Sequence, residues 1–288
     1  MNPSPKNSSL HKPVLLQTAL NYLGVQPGKL YIDATLGDGG HTAAILIQGG
    51  RVLGLDQDPQ ALDACRQQEA LKPALASGSL ILVRTNFTHL IEVAKEHSRL
   101  GASGILFDLG VSSRQLDAGQ RGFSFQIPGP LDMRLDQSLP HTAATLVNTL
   151  PAGGLAEVFA RFGQIPVAAS LAAKVAAARP LTMTTKLAAV TGKWSRQAFQ
   201  ALRIAVNDEL GALETALPQA LDVLAAAGRL VVISFHSLED RLVKRQFATW
   251  SAQGLGQVLT PRPDTPSAGE ISANPRASSA KLRAFQKN

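Results

Sequence analysis

Between Lys29 and Asp108 the chain repeats one pattern, a short apolar run followed by an amphipathic stretch, and three of the four runs end in an aspartate. Lys29-Leu30-Tyr31-Ile32-Asp33 predicts a first strand, with a helix from about His41 to Gln48 behind a glycine-rich turn. Arg51-Val52-Leu53-Gly54-Leu55-Asp56 predicts a second strand, and Pro59, favoured in a helical first turn, opens a helix reaching Leu71. Ser79-Leu80-Ile81-Leu82-Val83 predicts a third strand, Leu90 to Leu100 a helix, and Gly104-Ile105-Leu106-Phe107-Asp108 a fourth strand. Repeated strand-helix units with right-handed crossovers build a parallel, doubly wound α/β sheet.

The alternation then stops. From about Met133 to Ala205 the chain is alanine-rich and helical, punctuated by Pro140, Pro151, Pro166 and Pro180, with no convincing strand. A helix from about Asp208 to Ala227 and a strong strand, Gly228 to Phe235, restore the first pattern. The simplest division is a core in two parts, 1–132 and 206–288, interrupted by a helical subdomain at 133–205. Residues from about Ser251 to Asn288 are rich in Gly, Pro and Ser, which predicts a partly mobile tail that is also basic.

Apolar stretches such as Val167 to Ala178 are short and broken by Lys174, so no membrane span is expected. Met1 to Ser9 has no apolar segment of the secretory type, and a single cysteine, Cys65, cannot form an internal disulfide. Both point to the cytoplasm. The net charge of +7 is unevenly spread. Residues 141–200 hold 6 basic and 1 acidic side chains, residues 241–288 hold 8 and 2, and residues 201–240 hold 2 and 6. Two basic blocks beside a balanced core suggest a polyanionic partner, most simply nucleic acid.

The first loop, Asp33-Ala34-Thr35-Leu36-Gly37-Asp38-Gly39-Gly40-His41, lies between a strand and a helix, where glycine lets a nucleotide approach the backbone. It is neither a strict G-x-G-x-x-G nor a Walker A loop. Asp56 ends the second strand where an acid can accept hydrogen bonds from ribose hydroxyls, and Asn86-Phe87 follows the third, where an aromatic face can cover adenine. Three successive strand ends thus favour an adenosine-containing cofactor, with S-adenosylmethionine fitting better than NAD. Asp108, at the fourth, falls where the cofactor's reactive end would meet substrate. No spacing of Cys, His, Asp or Glu forms a metal cluster, and Cys65 is expected to face the core.

The segments His11 to Leu16, Asp33 to His41, Asp108 to Gln115, Arg121 to Phe125, Pro130 to Arg134, Phe199 to Ile204, Ser234 to Arg241, Asn274 to Arg276 and Ser279 to Arg283 closely resemble the bacterial 16S rRNA (cytosine-N4)-methyltransferases, the RsmH or MraW family. The resemblance runs nearly the whole chain in the family's order. It implies a Rossmann-like S-adenosylmethionine-dependent methyltransferase core with an inserted all-helical subdomain. It also implies 16S rRNA of the small ribosomal subunit as substrate and cofactor contacts at Gly39, Gly40, His41, Asp56, Phe87, Asp108 and Gln115. Three places depart from the family's pattern: Asp38, expected to point to solvent; Phe162-Gly163-Gln164-Ile165; and a shortened segment at Lys193 to Gln197.

A cytosine amine is a poor nucleophile because its lone pair is delocalised into the ring. The sulfonium donor is already activated, so in-line positioning and removal of one proton are the enzyme's tasks. Asp108 is expected at the methionine amino group and the reacting centre, Ser112 and Ser113 as acceptors for the amine, and His236 as proton relay. For the serines, helix capping is an equally good reading. A base in folded RNA must be splayed out to react. Phe123 and Phe125 offer a stacking face, with Arg121 and Arg134 as phosphate contacts. Arg161, Lys174, Arg179, Lys186, Lys193, Arg196, Arg262, Arg276, Lys281, Arg283 and Lys287 would hold the RNA backbone. A DNA amino-methyltransferase is disfavoured because the loop after Asp108 lacks the Pro-Pro-aromatic sequence of those enzymes. A nucleic-acid-binding module with an empty cofactor site is disfavoured by the intact Gly39, Gly40, Asp56 and Asp108.

Overall fold

The computed structural model describes residues 13–97 and 101–288. His11 and Lys12, and the end of the helix expected to reach Leu100, lie outside the described residues. Seven strands form one sheet: β1 (Leu30–Asp33), β2 (Arg51–Asp56), β3 (Leu80–Arg84), β4 (Ala102–Asp108), β5 (Leu224–Ser234), β6 (Gly256–Val258) and β7 (Lys281–Lys287). Their order is β3-β2-β1-β4-β5-β7-β6. The first five run parallel, and β7 and β6 close the edge antiparallel. The order reverses beside β1, between β1 and β4, which is where an open α/β sheet leaves a crevice for a ligand.

Side chains alternate across the sheet because successive residues of a strand point to opposite faces. Ile32, Leu53, Leu55, Ile105, Phe107, Leu230, Val232 and Phe285 pack on one side against the helices Leu90–His97, Glu209–Val223 and Ser237–Ala252. Tyr31, Val52, Leu106, Val231, Ile233, Leu282 and Ala284 pack on the other, against Leu16–Leu23, Gly40–Ile47 and Pro59–Gln67. Burial on both faces explains why the strands read as nearly unbroken apolar runs. Cys65 is buried in this second layer, and burial pushes its thiol up to about 12.

Five helices, Ala143–Thr149, Ala152–Gly163, Ala168–Ala177, Thr184–Thr191 and Ser195–Asn207, gather around a third apolar cluster that includes Phe123, Leu131, Met133, Leu155, Phe159, Leu171, Phe199 and Leu202. No sheet residue belongs to this cluster. A Cβ at Gly163 would meet the Gln197 carbonyl oxygen at 2.9 Å, so this glycine is what lets the second and fifth helices close on each other. Glycine at such a contact brings helix axes near at the cost of some helix stability.

Three expectations need correcting. The tail beyond Ser251 ends in a core strand: β7 fills an interior sheet position, pairing Arg229 with Gln286 through Ser234 with Lys281, and buries Leu282 and Phe285 fully. Its polar composition hid a strand whose two faces are both covered. The helix expected to run to Ala227 ends at Val223, and β5 starts at Leu224, which pairs with Ala102; the Ala225-Ala226-Ala227 run favours helix on propensity alone and misleads for that reason. The sheet is therefore mixed rather than wholly parallel.

Candidate active site

The carboxyl ends of β1, β2 and β4 open into one cavity of 410 Å³. Thr35, Gly37, Asp38, Gly40 and His41 line it from the first loop, with Asp56, Phe87, Asp108, Ser112, Ser113 and Gln115 beside them. It continues past Asp108 to Phe123, Phe125, Arg196, Phe199 and Arg203 of the helical region and to Phe235, His236 and Glu239 after β5. Of the residues singled out for the cofactor, only Gly39 does not line the cavity. Its φ of 72° starts the Gly40–Ile47 helix, and a Cβ there would meet the Cys65 sulfur at 2.8 Å. Gly39 therefore shapes the loop from beneath. Gly37 and Asp38, which line the cavity, were not assigned from sequence because family positions fell on the later glycines.

Asp56 Oδ2 accepts the Gly37 N–H at 2.9 Å and Oδ1 accepts the Asp58 N–H at 2.8 Å. Burial raises this carboxyl to about 6, against those hydrogen bonds and with help from the Asp58 and Asp33 charges. Asp56 is thus both a cavity wall and the tie that holds the first loop against β2. Asp33 lies deeper, bonded to the Thr42 hydroxyl and the Thr35 N–H, and burial raises it to about 6 as well. Phe87 stands edge-on to Phe107 with ring centres 5.5 Å apart and still reaches the cavity.

Asp108 is the least satisfied group of the set. Its Oδ1 is one of two buried polar side-chain atoms among the described residues with no hydrogen-bond partner. Its Oδ2 lies 3.4 Å from His41 Nδ1. His41 Nε2 faces the Val14 carbonyl oxygen at 3.2 Å, and a carbonyl only accepts, so the ring's proton sits on Nε2 and Nδ1 offers a lone pair. Burial lowers His41 to about 4, keeping the ring neutral. Burial, then the nearby Asp33 and Glu239 charges, hold the Asp108 carboxyl well above the usual carboxylate range. The contact with His41 is satisfied when Asp108 carries the proton. A cation arriving at Oδ1 favours the ionised form and expels that proton.

A prediction follows for any cationic ligand of this cavity. Binding should release protons, and affinity should weaken as pH falls, because the raised carboxyl must ionise. Calorimetry of S-adenosylmethionine in two buffers of different ionisation enthalpy reads this directly. Identical heats in both buffers would contradict it.

Ser112 caps the short Ser113–Asp117 helix: its hydroxyl accepts the Gln115 N–H at 3.3 Å, and Gln115 Oε1 accepts the Ser112 N–H at 2.9 Å. Gln115 Nε2 donates to Asp58 Oδ2 at 2.8 Å, so both ends of that amide brace the loop. Ser113 also lines the cavity. His236 caps the Ser237–Ala252 helix, its Nδ1 accepting the Glu239 N–H at 3.3 Å. Glu239 Oε2 takes the Phe235 and His236 N–H groups at 2.8 and 3.2 Å. Burial raises the Glu239 carboxyl, but its contact with His236, the Arg203 charge and those N–H donors outweigh it, for a net lowering.

Several basic side chains do other work than expected. Arg121 is buried: Nη1 donates to Asp58 Oδ2 at 2.7 Å and Gln60 Oε1 at 3.0 Å, and Nη2 to the carbonyls of Arg134 and Leu135. It cannot reach a phosphate. Arg134 folds back on Asp132 and on the Gln137 and Leu139 carbonyls. Arg283 is buried on β7 beside Asp240, which also takes Lys281; Lys287 caps the Leu221 and Leu224 carbonyls, and Arg179 those of Val147 and Leu150. Asp38 is not left to solvent but pairs with Arg114. Arg161, Lys174, Lys186, Lys193, Arg196, Arg262 and Arg276 remain exposed, Arg276 in an ion pair with Asp117.

The structure also brings together Glu209, His236 and Glu239, whose ligand-type atoms all lie within 4.8 Å of one another, a grouping invisible in the sequence because Glu209 and His236 are far apart along it. Among the described residues no helix is long and apolar enough to cross a membrane.

Comparison with known proteins gives a consistent result. The model of the MraW methylase family matches residues 8–288. A protein named ribosomal RNA small subunit methyltransferase H from Thermomicrobium roseum is 44% identical, covering 97% of this chain and 94% of its own length. The protein of the same name from Symbiobacterium thermophilum is 43% identical, covering 96% of each. Among solved structures, an rRNA methylase from Streptococcus thermophilus aligns over 97% of this chain and 99% of its own, at 12% identity and a TM-score of 0.46.

Proposed function

The chain belongs to the MraW methylase family, and from that membership we propose that it transfers a methyl group from S-adenosylmethionine to the exocyclic N4 amine of a specific cytosine in 16S rRNA. The observation that carries this reading is the single cavity that joins the sheet's switch point to the aromatic and basic wall of the helical region. A donor bound at the strand ends and a base entering from the helical side would meet at Asp108.

The residues present fit S-adenosylmethionine on two grounds. The unpartnered Asp108 Oδ1 suits an ammonium group, and the loop leaves no room for a side chain at Gly40, where a Cβ would meet Pro13 Cγ at 2.3 Å. When bound, the cofactor supplies an activated methyl. In our reading Asp56 holds the ribose, Phe87 covers the adenine, His41 sets the charge of Asp108, and Asp108 holds the methionine end. Gly39 supports these residues from outside the contact surface, and Gln115 completes the cofactor wall beside Ser112 and Ser113. Ser112 and Ser113 face the amine, and Phe125, edge-on to Phe199 at 5.8 Å, flanks the base. Residues 133–205 form the substrate-binding subdomain, and 1–132 with 206–288 the methyltransferase core. The small ribosomal subunit is the partner and the cytoplasm the compartment.

Asp56→Ala should raise the Kd for S-adenosylmethionine by about tenfold or more, from lost hydrogen bonds and a loosened Gly37 loop, while RNA affinity changes little. Calorimetry and filter binding test the pair; equal losses in both would remove Asp56 from the cofactor site. Reversing exposed charges at Lys186, Lys193 and Arg196 should weaken binding to the subunit and flatten its salt dependence, since fewer phosphate counterions are released. Reversal at Arg283 should instead lower the melting temperature by leaving Asp240 without its buried partner. An unchanged salt slope in the triple variant would move the RNA surface elsewhere.

Methyl transfer to purified undermethylated small subunits tests the function itself. No incorporation under conditions where the cofactor binds would reject it.

A further inference from the structure

Two buried side-chain atoms among the described residues lack a hydrogen-bond partner, and both belong to residues lining the same cavity: Asp108 Oδ1 and His236 Nε2. A buried unpaired polar atom costs about 1–3 kcal/mol, so such atoms persist where a ligand completes them. Asp108 Oδ1 is accounted for by the cofactor. His236 is not, and its chemistry is fixed by its neighbours.

Nδ1 of His236 accepts the Glu239 backbone N–H at 3.3 Å and therefore presents its lone pair there. In the neutral ring the proton then sits on Nε2. Glu239 Oε1 lies 3.2 Å from Nε2, close enough to favour a proton on that nitrogen, yet without the alignment of a hydrogen bond. Nε2–H thus has only a poorly aligned neighbour in Glu239 Oε1 and keeps its capacity to donate to a ligand, and the side chain is only 7% exposed. This state also argues against a metal held by Glu209, His236 and Glu239. The Nδ1 lone pair is spent on a backbone N–H, Nε2 is protonated, and Arg203 clasps both Glu209 oxygens at 2.8 and 2.9 Å.

We propose that His236 reads the target base, its Nε2–H donating to the ring N3 of cytosine. The inference rests on the methyltransferase reading above and adds the residue that selects the base. Cytosine presents an acceptor at N3 beside its amine, whereas uracil carries a hydrogen at N3 and an oxygen in place of the amine. A fixed N–H donor accepts the first and opposes the second. His236, its carboxylate neighbour Glu239 and Asp108 all line this one cavity. In this role His236 holds the base and does not take the departing proton, since its inward nitrogen is already protonated.

Two substitutions separate the donor from the helix cap. His236→Asn keeps an oxygen near the Nδ1 position and so the cap, but its amide is too short to place a donor at the Nε2 position. His236→Gln keeps a donor near that position and sacrifices the cap. The readout is affinity, in the presence of S-adenosylhomocysteine, for undermethylated small subunits carrying either the target cytosine or uridine at that site. Wild type should prefer cytosine by about tenfold. The Asn variant should lose that preference with its melting temperature near wild type, and the Gln variant should keep it despite a lower one. A preference retained in the Asn variant, or absent from wild type, overturns the proposal. Absence of methyl transfer by wild type would instead remove the methyltransferase reading, so the two failures are distinguishable.

Discussion

Asp108→Asn should lower methyl transfer by about 10²–10³-fold while leaving the melting temperature unchanged or slightly higher. The substitution preserves shape and removes the negative charge that the cofactor's cation would meet. It also removes a carboxyl that burial and the Asp33 and Glu239 charges already penalise when ionised, so the fold has little to lose. Strain and unfavourable charge concentrated at a functional group while the scaffold stays sound is the usual signature of a site. Initial rates with small subunits, alongside thermal melts, check both halves. Activity and stability falling together would mean that Asp108 is a structural residue.

The second large effect is on stability. Arg121→Met should cost about 3–5 kcal/mol, because it leaves the Asp58 carboxylate buried without its cation. Arg121 makes four hydrogen bonds from a side chain 1% exposed, joining the start of the Pro59–Gln67 helix to the Arg134 and Leu135 carbonyls. It is therefore the strut between the cofactor side of the cavity and the loop entering the helical region. The melting temperature should drop by on the order of 10 °C, and pairing the change with Asp58→Asn should recover part of it. A variant that melts like wild type would show that the Asp58 site collapses or hydrates without penalty.

The contrast between these two residues explains what the sequence could and could not reveal. Asp108 was legible because a buried strand ending in an acid has a position as well as a composition: it lies at the fourth strand end of a parallel sheet. The same logic located Asp56 and Phe87. Arg121 was misread as a phosphate contact because charge is visible in a sequence while burial is not. Its partners Asp58 and Gln60, and Arg134 and Leu135, come from two separated segments, and no local pattern announces that they meet Arg121. Arg283 and Lys287 were misjudged for the same reason, since the tail's glycines, prolines and serines concealed a strand inside the sheet. His236 shows an intermediate case. Its place after a strand was apparent, but its protonation depends on Nδ1 accepting the Glu239 N–H, which only three-dimensional geometry displays.

The measurement that bears most directly on the account is mass spectrometry of 16S rRNA from a strain lacking this chain, before and after it is restored. One cytosine should lose its N4-methyl group in the deletion, regain it with the wild-type chain, and stay unmodified with the Asp108→Asn chain. N4-methylcytidine that persists at every site in the deletion strain would contradict the central claim.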